Sequence, residues 1–139
     1  MIVCHAQLRK SGKYWAIAAA LPLCLLAMPQ ARSESATLAG TWIGGGVVAY
    51  PTGDRERARC QANYSGGSST VSVNATCATP SGNVSQYARL RKTGANSYSG
   101  TFFNSQYNMT GSIQVVVHGN TQSVSISSGS GSASLSLRR

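Results

Sequence analysis

Between Thr41 and Leu137, apolar and polar residues alternate in short runs, and turn-forming residues separate one run from the next. An alternation of period two is the signature of an antiparallel strand with one face buried and the other in water. Folding the runs back on one another at the turns sets apolar residues opposite apolar residues. Runs 57–65 and 70–78, hinged over Gly67 to Thr70, put Cys60 opposite Cys77, Ala62 opposite Ala75 and Tyr64 opposite Val73. Thr79-Pro80-Ser81-Gly82 suits a type I turn. It sets Cys77 against Val84, Val73 against Ala88 and Val71 against Leu90. A turn near Gly94 pairs Leu90 with Tyr98 and Ala88 with Gly100. One at Ser105-Gln106 pairs Phe102 with Met109, Gly100 with Gly111 and Tyr98 with Ile113. Gly119-Asn120 and Gly129-Ser130 are favoured two-residue hairpin loops. They pair Val115 with Val124, and Val124 in turn with Leu135. In the first hairpin, Trp42, Gly44, Gly46 and Val48 face Tyr64, Ala62, Cys60 and Ala58.

The opposite positions are polar: Ser72, Asn74, Thr76, Ser112, Gln114, Ser123, Ser125, Ser134 and others. Eight strands with one apolar and one Ser/Thr-rich face predict an all-β, eight-stranded antiparallel up-and-down barrel, because closure removes the two open edges. A two-sheet sandwich is the alternative. No helical periodicity is sustained after residue 33.

The N-terminal third has a different layout. Arg9, Lys10 and Lys13 precede an apolar stretch from Ala16 to Met28, and small residues follow at Ala31 and Ser33. This predicts a secretory signal peptide over 1–33, with a single domain at 34–139, no transmembrane segment after cleavage, and export to the periplasm or beyond. The formal charge of +9 falls to roughly +5 without the signal. That excess permits attraction to an anionic envelope component. The long basic runs of a specific nucleic-acid binder are not part of the pattern. Cys60 and Cys77 are the pair left in the exported chain, and an even pair in that compartment reads as a disulfide.

Gly40-Thr41-Trp42 opening the first strand, with Arg138 ending the last, resembles the G-x-W plus C-terminal Arg signature of the calycin superfamily. The resemblance implies neighbouring first and last strands, with Arg138 stacked on Trp42. Leu38-Ala39-Gly40-Thr41-Trp42 is similar to the start of the serralysin-type metalloprotease inhibitors, exported barrels with one disulfide. That resemblance implies a secreted protease as partner, engaged by the segment Glu34 to Thr37. The chain also resembles small exported alphaproteobacterial proteins that share G-T-W-x-G-G-G, A-R-C, C-A-T and V-V-V-H-G-N. That likeness supports fold and compartment only.

Catalytic chemistry is sparse. The acids of 34–139 are Glu34, Asp54 and Glu56, the last two in one loop with Arg55 and Arg57. No pair of carboxylates is placed to flank a substrate, and no acid orients His118 toward a serine. The ligand count is too low for a metal site, and no cofactor is implied. The expected function is binding, not catalysis. Gln86 reads as the one clearly polar inward residue. With Tyr98, Phe102, Gly100 and Gly111 it is the candidate set facing a small apolar ligand, the glycines either leaving a gap or making room for the aromatic rings. Outside, Tyr87, Arg89, Arg91 and Phe103 form a candidate surface patch for a protein or a polyanion.

Overall fold

The computed structural model describes residues 37–139, together with Met28 and Pro29. The predicted signal peptide, with Cys4 and Cys24, lies almost entirely outside the described residues, as does the segment Glu34 to Ala36. Eight strands follow in sequence: β1 (Gly40–Ala49), β2 (Arg55–Gly66), β3 (Thr70–Thr79), β4 (Gly82–Lys92), β5 (Ser97–Asn104), β6 (Met109–His118), β7 (Thr121–Ser128) and β8 (Gly131–Arg138). Each pairs antiparallel with the next, and β8 pairs with β1, so the sheet closes into a barrel.

Four hairpins have the register expected from their turns. Cys60 pairs with Cys77, Cys77 with Val84, Val115 with Val124, and Val124 with Leu135. Three are offset by two residues. Trp42 pairs with Ala62 rather than Tyr64, Leu90 with Gly100 rather than Tyr98, and Phe102 with Gly111 rather than Met109. The cause lies in the loops. At the β1–β2 connection Tyr50 N donates to Asp54 O at 2.9 Å, with Gly53 at φ 94°. At β5–β6, Asn108 takes φ 47°, a left-handed conformation that asparagine tolerates. At β4–β5, Thr93 N donates to Ser97 O at 2.8 Å, which tightens that loop. A slip of two residues leaves every side chain on its face, so inside and outside are unchanged.

The interior is apolar around Trp42, Leu90, Val115 and Val117, all at most 1% exposed. The expectation of a single polar inward residue is corrected: Gln86 is half-buried, Asn104 and Gln122 are fully buried, and Glu56 stands on the inward register at the start of β2, not in a loop. The seam between β1 and β8 is narrow. A Cβ on Gly44 or Gly46 would lie 2.1 Å from the Ser136 carbonyl oxygen or 1.9 Å from that of Ser134, so only glycine allows the approach. Cys60 and Cys77 are joined by a disulfide across β2 and β3.

Candidate ligand-binding site

The two ends of the barrel are built differently. At one end the chain segment before β1 folds across the opening. Leu38 is 1% exposed, and its carbonyl accepts the Trp42 indole N–H at 2.8 Å. The Arg139 guanidinium lies 4.6 Å from the Trp42 ring centroid, and its Nη1 donates to the carbonyls of Thr37 at 3.0 Å and Ala39 at 3.4 Å. The stacking implied for Arg138 therefore belongs to Arg139. Arg138 is paired within the sheet, opposite Ile43 and Thr121, and its side chain is exposed. Alternation is the reason: Leu137 points inward, Arg138 outward, and only the residue beyond the strand can bend back over the indole. Beneath this plug the Tyr64 hydroxyl donates to Gln122 Oε1 at 3.1 Å. Burial pushes the Tyr64 phenol up to about 12, with the bond to Gln122 acting in the other direction.

The other end is open. There the barrel holds a cavity of ≈ 480 Å³, to which all eight strands contribute walls. That volume is ordinary for a small-molecule site. Val48, Ala58, Val84, Met109, Ile126 and Ala133 make the walls apolar. The floor is Phe102 and Leu135 with Cys77 and Gln86, which also bound a void of ≈ 30 Å³ below, about the space of one water. Gln86 brings an amide, both donor and acceptor, into this floor. Around the mouth stands a collar of hydroxyls from Tyr50, Thr79, Ser81, Tyr107, Ser128 and Ser130. Among the described residues no ionised side chain lines the cavity.

Of the residues singled out from sequence, Gln86 and Phe102 line this cavity. Tyr98, Gly100 and Gly111 do not. Tyr98 is 2% exposed and pairs with Lys92 and Val115 in the closed half. A Cβ on Gly100 would sit 1.8 Å from the Arg89 carbonyl oxygen, and one on Gly111 would sit 2.4 Å from the Phe102 ring. These glycines are close approaches, already filled by backbone and by the aromatic ring. The outer patch does assemble. Tyr87 and Phe103 face each other across β4 and β5, 40% and 45% exposed, and Arg89 Nε donates to the Tyr87 hydroxyl at 3.3 Å. Arg91 lies on the same face, opposite Ser99 and Thr70.

Sequence reasoning missed the collar, Glu56 and Asn104. Asn104 is fully buried, and its Oδ1 accepts the Tyr107 N–H at 3.1 Å. Its Nδ2 has no partner among the described residues. The signal was present in its parity with Tyr98 and Phe102.

No family model and no curated protein matches the chain. Solved structures do. A redesigned β-barrel, mFAP1, bound to DFHBI, is similar with a TM-score of 0.62 at 14% identity, covering 73% of this chain and 94% of that one. A second redesigned barrel, mFAP0, also bound to DFHBI, gives 0.60 at 14% identity, covering 73% and 98%. A de novo designed fluorescence-activating β-barrel gives 0.56 at 14% identity, covering 73% and 92%. At these identities the likeness establishes the closed antiparallel barrel.

Proposed function

We propose that this chain is an exported, non-enzymatic barrel that takes a small apolar molecule into the cavity at its open end. The observation that carries the reading is the contrast between the ends. One is plugged by Leu38, Trp42 and Arg139, while the other keeps ≈ 480 Å³ of uncharged, mostly apolar space behind a hydroxyl collar. Apolar walls supply affinity through surface removed from water, and a few polar groups orient the ligand. None of the lining side chains is a charged acid or base, which favours holding a molecule over transforming it. The DFHBI complexes offer a precedent for a small molecule on a barrel of this architecture. The disulfide fits an oxidising compartment, in keeping with the signal-like N-terminus.

A neutral solvatochromic dye such as Nile red provides the test. Saturable one-site binding is expected for the oxidised protein. It should be lost in Ala133→Trp and in Val84→Trp, whose indoles occupy the cavity while thermal unfolding stays cooperative. Undiminished binding in both folded variants would sink the cavity reading.

A further inference from the structure

Just behind the hydroxyl collar, outside the cavity lining, an acidic side chain is hydrogen-bonded to the collar itself. Glu56 sits opposite Val48 on the inward register of β2. The Ser81 hydroxyl donates to its Oε1, and the Tyr50 hydroxyl donates to its Oε2 at 3.2 Å. Both donors belong to the collar, one from the β3–β4 turn and one from just after β1. The bond from Ser81, with further help from Thr79 and Tyr50, holds the carboxyl below the usual carboxylate range despite some burial. At neutral pH the group is therefore an anion, tied to two loops. Its sequence neighbours Arg55 and Arg57 have the opposite parity and stand on the outer register, opposite Ala49 and Val47.

Resting on the cavity reading above, we propose that Glu56 makes the site selective for neutral amphiphiles. The ligand class is an apolar body with an uncharged hydroxyl or amide head, and anions of the same chain are rejected. The body fills the uncharged space above Phe102 and Leu135. The head meets the collar hydroxyls of Tyr50 and Ser81, whose protons go to Glu56 and whose oxygens therefore accept from a ligand hydroxyl or amide. An anionic head in that position loses water and comes near a like charge held one hydrogen bond behind the collar by Tyr50 and Ser81. Discrimination of this kind comes from a repulsive element, not from a better fit. At the dielectric usual near a protein surface, a like charge several ångströms away is worth about tenfold or more in affinity.

The test displaces Nile red from the full-length oxidised protein at neutral pH with 1-decanol, decanesulfonate and decyltrimethylammonium. The sulfonate is chosen because its charge does not titrate in this range. Decanol should displace the dye at a concentration about tenfold or more below that needed for the sulfonate. In Glu56→Gln, which retains the hydrogen-bond acceptor, the sulfonate-to-decanol ratio should fall to within about threefold. Should that variant fold poorly, the same narrowing is expected of the unmodified protein at high ionic strength, where the repulsion is screened. A sulfonate that competes as well as decanol overturns the selectivity, as does a ratio unmoved by both the substitution and salt. Tighter binding of the ammonium than of decanol also overturns it, because the site would then be a cation site. Failure of Nile red to bind at all refutes the cavity reading itself, so the two failures separate.

Discussion

Arg139 holds the plugged end together, and removing its side chain measures how much. In Arg139→Ala the stacking on Trp42 is lost, worth about 0.5–1 kcal/mol at a solvent-facing position. The bonds to the Thr37 and Ala39 carbonyls go with it, at about 0.5 kcal/mol each for exposed partners. The sum is about 1.5–2 kcal/mol, a fall of about 7–9 °C in Tm for a domain of this size. Leu38 is the reason the loss does not stop at the arginine. Its burial depends on the segment that Arg139 clamps. Arg138→Ala removes only an exposed side chain, so its change should stay within about 0.5 kcal/mol. Arg139→Lys keeps the charge but loses the planar fork, and should fall between the two. Urea unfolding followed by tryptophan fluorescence reads the plug directly, because Trp42 lies in it. The reasoning is refuted if Arg138→Ala costs more than Arg139→Ala, or if both are neutral.

Gly111→Ala should cost about 2 kcal/mol, since its Cβ would meet the Phe102 ring at 2.4 Å and the Ser127 carbonyl oxygen at 2.3 Å. Gly129→Ala, with nothing within 4 Å, should stay within about 0.5 kcal/mol in the same urea titration. Tyr64 makes the alkaline limb steep. Its phenol is raised from 10.0 to about 12 in the fold, so its contribution is complete below pH 10 and is lost as pH rises through 12. Relative to Tyr64→Phe, the unmodified protein should lose about 3 kcal/mol over that window, and parallel pH–stability curves would contradict this. Replacing both Cys60 and Cys77 by alanine should cost about 3 kcal/mol, seen as a lower urea midpoint that reductant no longer changes.

Much of this architecture is legible in the chain because strand parity is robust. The registers at β3–β4, β6–β7 and β7–β8 follow from short turns with distinctive residues: Pro80 with Gly82, Gly119-Asn120 and Gly129-Ser130. The longer loops carry no such marker. Their pairing is set by backbone hydrogen bonds and by one left-handed asparagine, Asn108, which local pattern does not reveal. Glu56 is hidden in the charged run Asp54-Arg55-Glu56-Arg57, which reads as a loop although Glu56 shares parity with Ala58 and Cys60. Which end stays open is not legible at all. It is decided by Leu38 and Arg139 meeting over Trp42 from opposite ends of the barrel's sequence, a contact no short-range pattern encodes. Gln86 and Phe102 are legible as inward residues, but their membership of the cavity depends on that same asymmetry.

Binding at the open end of the barrel is the central claim. Amide and methyl chemical-shift mapping during titration with Nile red addresses it residue by residue. Shifts are expected only in the cavity, at Val84, Met109, Ile126 and Leu135, with Leu90 and Val117 in the plugged half unmoved. Shifts clustered instead on Tyr87, Arg89 and Phe103, with the interior silent, would contradict it and move the binding surface to the outer wall.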